Sequence, residues 1–578
     1  MKRELVISGM TCLDCSRHVT KALEHVSGVR CAAVDYRGGR ATVELDQSVA
    51  PSVLADAVAR VGYRVEREGD APSVAGEPPG RTHQRADGVV GGTPAGTADF
   101  DLLVIGTGGA GMAAAIQAVG MGGKVAIVEA GTLGGTCVNV GCIPSKDLIE
   151  AAAHYHAARK GFPGIAPCEP TVNWAAIVRH KDDLVGELRQ AKYVDVLASY
   201  PGIAILEGRA RFVGGDDGAP LRVRVGDGDD AREHRARKVV IATGTQPSAP
   251  PISGLDAANA LTSTTAMEMD TLPASLIVLG GSAVGLELGQ MFARFGVKVT
   301  VVELAPRLLA NEDEAISEAL RGYLEDEGIE IHTGMQTTRV EHDGEGVVVH
   351  VSQGTLTGEL RAERLLVAAG RRPNTRDMGL DDAGVALTAS GFVRVDATMQ
   401  TSNPDVYAAG DVTGGPGYVY VAAAGGRIAA ENAMKSLAPM RTPNDDPREF
   451  DLSVVPNVTF TSPQVGSVGF TEAGARARGF HVEVSMLKMD QVPRALVSHD
   501  ARGLVKVVSE SASGKLLGIH AIAPNAGEFM GEVALAVRFG LTARDVASTL
   551  HPYLTWIESV KLASQGFEMD VSKLSCCA

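Results

Sequence analysis

Two glycine turns, each set between an apolar strand and a helix, constrain this chain more than anything else in it. The run Phe100 to Ile105 reads as a buried strand, Gly106-Thr-Gly108-Gly-Ala-Gly111 follows, and Met112 to Val119 reads as a helix. Glycine at those positions permits a tight turn and lets a pyrophosphate approach the helix N-terminus closely. Glu129 ends the next strand, where an acid accepts ribose hydroxyls, so the segment reads as a dinucleotide site. The same plan recurs from Leu276 to Glu303, with Gly280-Gly-Ser282-Ala-Val-Gly285 as its turn. Serine replaces the usual middle glycine there, and the backbone is expected to approach the pyrophosphate less closely.

At 578 residues the chain needs several cores. Apolar residues make up 45% and aromatics only 4%, which suits an α/β protein packed with small aliphatic side chains. The expected class is α/β, with two Rossmann-like nucleotide-binding domains, an α+β dimerisation domain and an N-terminal ferredoxin-like βαββαβ module. That module occupies residues 1–67, its strands at Glu4 to Ile7, Val29 to Asp35, Arg40 to Leu45 and Tyr63 to Glu66, its helices at Ser16 to Val26 and Pro51 to Val61. Residues 68–98, rich in Gly, Pro and Ala without periodicity, read as a flexible tether. The first nucleotide-binding domain is expected in two parts, 99–245 and 372–447, around the second at 246–371. Residues 448–578 complete the chain as the dimerisation domain.

A formal charge of -15 argues against nucleic acid as a partner. Neither a signal-peptide pattern nor a run long enough to span a bilayer is present, so a cytoplasmic location is expected. Of the eight cysteines, six form three close pairs, Cys12/Cys15, Cys137/Cys142 and Cys576/Cys577, a usage that favours redox or metal chemistry over stapling. Cys31 and Cys168 stand alone and read as buried structural residues.

The segment Gly134-Gly-Thr-Cys137-Val-Asn-Val-Gly-Cys142-Ile-Pro-Ser-Lys146 resembles the active site of the pyridine nucleotide-disulfide oxidoreductases, which include glutathione reductase and lipoamide dehydrogenase. A helix start beside such a pair lowers thiolate pKa and makes the reduced pair nucleophilic and metal-binding. The resemblance implies FAD and a nicotinamide cofactor, with Cys142 against the flavin and Cys137 as the outer interchange thiol. It places Lys146 near flavin N5 and pairs it with Glu287, against the simpler reading of a surface ion pair. It also assigns Gly106, Gly108, Gly111, Glu129, Gly131, Gly135, Thr136, Ala210, Val419, Gly244 (in Ala242-Thr-Gly244) and Asp411 (in Ala408-Ala-Gly-Asp411) to FAD. Gly280, Gly285, Glu303 and Arg307 fall to the nicotinamide nucleotide. NADPH is expected, with NADH as the alternative because Glu303 would repel a 2′-phosphate and Arg307 is the only cation near it in sequence.

The termini narrow the substrate. Gly9-Met-Thr-Cys12-Leu-Asp-Cys15 resembles the metal-binding loop of heavy-metal-associated domains, and Leu574-Ser-Cys576-Cys577-Ala578 resembles the vicinal cysteine tail of mercuric reductases. Tyr193 and Tyr553 match tyrosines that flank the bound ion in that family; packed aromatics are the plainer reading of both. The resemblance implies reduction of thiol-bound Hg(II) to Hg(0), a homodimer whose active site is shared between subunits, and a transport protein that delivers mercury. Disulfide reductases carry His-Pro and a nearby Glu as an acid-base dyad. Here His551-Pro552 is followed by Glu558, displaced by two residues, which leaves open whether His551 acts as a base. The rival expectations are a reductase of an organic disulfide with an accessory metal domain, and a metal-sequestering protein with a vestigial flavoprotein half.

Overall fold

A computed structural model describes residues 2–8, 19–20, 22–24, 26–35, 40–46, 49–61, 63–70, 98–214, 219–438 and 446–573. The chain divides into two compact units, residues 1–92 and 93–578.

In the first unit, strands β1 (Lys2–Ser8), β2 (Val29–Asp35), β3 (Arg40–Leu45) and β4 (Arg64–Asp70) form one antiparallel sheet in the order β2-β3-β1-β4. Alternate residues Ala41, Val43 and Leu45 are buried with Leu54 and Val58 of helix α1 (Pro51–Arg60), the period-two pattern of a sheet with one packed face. Residues 19–20 and 22–24 are helical, with Val19 and Leu23 in the same core. The order is that of a ferredoxin-like module. The last strand starts one residue later than expected and runs on to Asp70; the loop with Cys12 and Cys15 lies outside the described residues, as does the tether from 71 to 97.

In the second unit β5 (Phe100–Ile105) runs parallel to β6 (Val125–Glu129), β6 to β7 (Ile203–Glu207), and β5 to the end of the long strand β10 (Arg232–Ile241). Strand β8 (Ala210–Val213) and strand β9 (Leu221–Val225) extend this sheet antiparallel. The central strands read as continuous apolar runs because both faces are covered. Leu102, Val104 and Val240 pack on one side, with Leu103, Ile105 and Val239 on the other. A second parallel sheet contains β11 (Ser275–Leu279), flanked by β12 (Lys298–Glu303) and by strand Arg364–Val367. The chain then returns to the first sheet through Val406–Ala408, which pairs with β10.

The C-terminal part is a five-stranded antiparallel sheet from Asn457 to Ala523 with helices Ala526–Arg538, Ala543–Ser548 and Glu558–Gln565 against it. The expected α/β class is thereby met. Among the described residues no helix is long and apolar enough to cross a membrane.

Candidate active site

Helix α2 (Gly109–Gly120) leaves β5 through the first glycine turn. Gly106 has φ +107, and a Cβ there would stand 2.4 Å from the Ala242 carbonyl oxygen; one on Gly111 would stand 1.8 Å from the Gly106 oxygen. Only glycine lets the helix sit that close to its own strand. No side chain caps the α2 N-terminus, so its first N–H groups face outward. Glu129 accepts hydrogen bonds from the Thr107 hydroxyl and from Gly131 N–H (2.8 Å). Its backbone oxygen accepts from Gly208 N–H (2.8 Å), two residues before Ala210. Val419, exposed at the start of helix Val419–Lys435, lies within 3.1 Å of a Cβ built on Gly109, and Asp411 accepts from the Thr245 hydroxyl (3.1 Å). Gly244 takes φ +66 beside that threonine. A bare helix N-terminus, an acid at the strand end and a glycine floor fit a dinucleotide.

The cysteine segment crosses this turn. Gly135 has φ +65, and a Cβ on it would meet Gly108 Cα at 2.6 Å. Thr136 and Cys137 lie on the short helix α3 (Gly135–Val140), and Cys142 is the first residue of α4 (Cys142–Lys160). Between them Gly141 breaks the chain at φ -127, ψ -112, where a Cβ would stand 2.9 Å from the Thr136 oxygen. The break lets Cys142 begin a fresh helix beside Cys137. Both are free thiols, Cys137 half-buried and Cys142 exposed. A hydrogen bond from Cys137 lowers the Cys142 pKa to about 7, with Lys146 helping, while the same bond and burial push Cys137 up. Above about pH 7 the reduced pair thus favours a thiolate on Cys142 with the proton on the outer sulfur.

Lys146, one turn into α4, makes a 2.6 Å ion pair with Glu287. Glu287 is only 7% exposed, so this is no surface pair; its other oxygen accepts from Phe460 N–H (2.8 Å). The Phe460 ring lies 4.7 Å from Lys146 Nζ. Phe460 follows strand Asn457–Thr459 and was not a sequence candidate, because its contacts come from 173 residues away.

Tyr193 lies in a local irregularity of its helix, beside the start of the cysteine segment. Helix Trp174–Arg189 passes at Gln190–Val194 into a single π turn before the final Asp195–Ala198 turn. One extra residue re-aims the side chains that follow. Tyr193 stands half-buried with Cδ2 3.4 Å from a Cβ built on Gly134, and burial raises its hydroxyl pKa, as do Cys137 and Cys142 nearby. Arg189 donates to Asn139 (3.2 Å), whose amide donates to the carbonyls of Leu133 and Gly135 at 2.9 Å each. Asn139 thus ties the π-turn helix to the cysteine helix.

The second turn repeats the first. A Cβ on Gly280 (φ +115) would meet the Ala368 oxygen at 2.5 Å, and one on Gly285 the Gly280 oxygen at 2.0 Å. Ser282 has φ -97 and ψ 179, extended backbone open to any residue, and it does not cap helix Ala283–Arg294. Glu303 accepts from Gly281 N–H (2.5 Å) and Ala305 N–H (2.6 Å). Arg307 turns toward the carbonyls of Ala310 (2.8 Å) and Glu312 (3.3 Å).

One sequence expectation fares otherwise. Cys31 and Cys168 are exposed rather than buried: each sits at a surface position of its unit, where spacing carries no burial signal. Glu558 does not touch His551; it is turned inward and accepts from Leu554 N–H (3.3 Å). Tyr553 lies on a surface loop, 49% exposed, and Cys576 and Cys577 lie outside the described residues. Among the described residues no group of three or more His, Cys, Asp or Glu is arranged to hold a metal ion.

Comparison with known proteins adds the family. Residues 100–426 match the pyridine nucleotide-disulphide oxidoreductase family, 455–564 its dimerisation domain, and 4–64 the heavy-metal-associated domain. A mercuric reductase of Shigella flexneri is 44% identical over 99% of both chains. One of Bacillus cereus is 40% identical over 100% of this chain and 87% of that protein, and one of Streptomyces lividans 46% over 83% and 98%. Among solved structures, the HOCl-induced flavoprotein disulfide reductase RclA of Escherichia coli matches with a TM-score of 0.68 at 29% identity, over 80% of this chain and 98% of that one. LpdA of Mycobacterium tuberculosis matches with a TM-score of 0.72 at 26% identity, over 81% and 100%.

Proposed function

Because the chain belongs to the mercuric reductases, within the pyridine nucleotide-disulphide oxidoreductase family, we propose that Cys137 and Cys142 receive thiol-bound Hg(II) and hold it while it is reduced to Hg(0). The observation that carries the reading is the pair of free cysteines on adjoining helix ends beside Lys146, where the Cys137 hydrogen bond and then Lys146 lower the Cys142 pKa to about 7. Mercuric ion prefers two thiolates and changes partners by attack of a third, so a nucleophilic sulfur beside a second one is the acceptor that this exchange requires. FAD and NADPH, when bound, supply the electron pair.

The chain's own residues divide the remaining work. Glu129, the α2 N-terminus, Gly131, Gly135, Thr136, Ala210, Gly244, Asp411 and Val419 are proposed to bind the flavin nucleotide, and Gly280, Gly285, Glu303 and Arg307 the nicotinamide nucleotide. Glu287 orients Lys146, and Phe460 covers it. Each incoming complex exchanges its two thiolates for Cys137 and Cys142. The bound ion then takes up two electrons and leaves as Hg(0), which no longer binds thiolate, and both cysteine sulfurs are released. Tyr193 and Tyr553 are proposed to flank the ion. Cys12/Cys15 would collect mercury and Cys576/Cys577 would hand it inward, from one subunit of a homodimer to the site of the other. The setting proposed is the cytoplasm, with a transport protein as donor, and the domain division is the one read from the sequence.

The test is anaerobic incubation of the purified chain with NADPH, excess thiol and Hg(II), with volatile mercury measured. The parent is expected to release mercury vapour. A Cys137→Ala, Cys142→Ala double variant should keep its flavin absorbance and lose mercury-dependent NADPH oxidation entirely. A parent that releases no vapour yet turns over a dihydrolipoamide-type thiol with NAD would overturn the reading in favour of an organic disulfide substrate.

A further inference from the structure

The sequence left His551 as a candidate base with Glu558 as its displaced partner. The structure gives it a different partner and a different surrounding. Its Nε2 lies 2.8 Å from Oε1 of Glu532, on helix Ala526–Arg538, and its Nδ1 lies 2.9 Å from the Thr549 carbonyl oxygen. Both ring nitrogens are thus occupied by partners from its own chain. The side chain is 2% exposed, whereas Glu532 is 46% exposed. A general base must present a lone pair to the proton it takes. Here one nitrogen faces a carbonyl, the other a carboxylate, and the ring is covered by its own protomer.

The surrounding segment is pinned at two points. His551 ties it to the helix behind through Glu532. Four residues before Glu558, Leu554 takes the left-handed φ of +61 with its N–H on the Glu558 carboxylate, and the Thr555 hydroxyl closes back on the Pro552 carbonyl (2.7 Å). Tyr553 is between these pins and projects outward, 49% exposed. A non-glycine residue in left-handed conformation persists only where its surroundings fix it, so the loop shape is determined by these contacts.

We propose that His551 and Glu532 form a hydrogen-bonded pair that positions the Tyr553 loop, and that His551 is a positioning residue rather than a base in mercury reduction. The inference rests on the mercuric reductase reading for the ion that Tyr553 flanks; the pair itself rests on geometry alone. Glu532 has no place in the sequence motif, since it lies 19 residues upstream, on helix Ala526–Arg538. Losing either partner removes this hydrogen bond and frees the loop, so the two should fail alike.

The experiment uses the full-length, flavin-loaded protein as parent, His551→Gln, Glu532→Gln, the double variant and Glu532→Asp. KM and kcat for a mercuric bis-thiol complex are measured across pH, together with the long-wavelength charge-transfer absorbance after NADPH addition. Each single neutral variant is expected to raise KM about tenfold, with kcat within about twofold of the parent and the kcat–pH profile unchanged in shape. The double variant should be no worse than either single one, Glu532→Asp should recover most of the loss, and the charge-transfer absorbance should persist in all. A lost pH limb and a fallen kcat in His551→Gln alone would make His551 a base and overturn the proposal, as would parental KM in every variant or additive losses in the double variant. If His551→Gln does not fold, the two Glu532 variants decide by the same KM criterion. The same cycle in thermal midpoints without mercury separates the two readings. Coupling there with no mercury vapour from the parent sinks the functional reading and keeps the pair, whereas vapour without coupling sinks the pair.

Discussion

The two glycine turns are built alike where the protein meets itself and differ where something else must approach. Outer glycines 106 and 111, like 280 and 285, are enforced by the chain's own backbone, since an added Cβ would stand within about 2.5 Å of a carbonyl oxygen at all four. The middle positions obey no such rule. A Cβ on Gly108 would meet nothing nearer than Gly135 Cα at 3.8 Å, an ordinary contact, and Ser282 occupies the matching place in unstrained extended backbone. The chain's own packing therefore does not require glycine at 108, which fits the proposal that a pyrophosphate approaches there. In the fingerprint, then, the outer letters report fold, and the middle letter is proposed to report the closeness of a ligand.

Breaking the outer letters should give the largest effects and should separate the two turns. Gly111→Ala drives a methyl into the Gly106 carbonyl beneath the flavin turn, an overpacking that costs about 1–3 kcal/mol and displaces α2. The expected product is protein purified without flavin absorbance and inactive. Gly285→Ala makes the equivalent clash with the Gly280 oxygen at the second turn. That variant should keep its flavin and lose NADPH oxidation, read as absorbance per protein against NADPH turnover. Equal loss of flavin in both would mean that the two sheets do not fold around their nucleotides separately.

The next contrast is that only the first turn lies under the thiols. With Cys142 lowered to about 7 from the ordinary thiol value, it is a thiolate above that pH and gains a proton as the pH falls through it. Alkylation of the dithiol-reduced enzyme by iodoacetamide should therefore rise with a midpoint near 7. Removing the nearby cation with Lys146→Met should shift that midpoint upward, toward the free-thiol value of about 8.5. An unchanged midpoint would assign the lowering to the Cys137 hydrogen bond alone.

What could be read in the sequence follows from the range over which each feature is fixed. Strands β5 and β11 and both turns are fixed by neighbours a few positions away, and each stands where the residue pattern placed it. Lys146 and Glu287, far apart in sequence, were paired through the family motif rather than through spacing, and they meet at 2.6 Å. Phe460, Asn139 and Glu532 escaped notice because their partners lie on other elements, where neither periodicity nor motif records a contact. The π turn was invisible for a different reason: one additional residue in a helix changes no residue type, only the direction in which Tyr193 points. Cys31 and Cys168 were misread because a small apolar side chain has no sequence signature for the surface.

The smallest expected effect tests the middle letter directly. Ser282→Gly removes a side chain that neither caps its helix nor strains its backbone, so fold stability should change by only a few tenths of a kcal/mol, the usual cost of glycine at a helix N-cap. If the second nucleotide is held at arm's length by that side chain, KM for NADPH should fall, by less than about threefold, because a closer backbone strengthens contacts at the helix N-terminus. The reciprocal Gly108→Ser places a hydroxymethyl group where the protein leaves room, so the apoprotein should fold with a parental thermal midpoint while its flavin affinity drops. Steady-state kinetics for the first variant and flavin titration of the apoprotein for the second distinguish this from a packing role. A Gly108→Ser protein that misfolds without flavin would return the middle glycine to the fold.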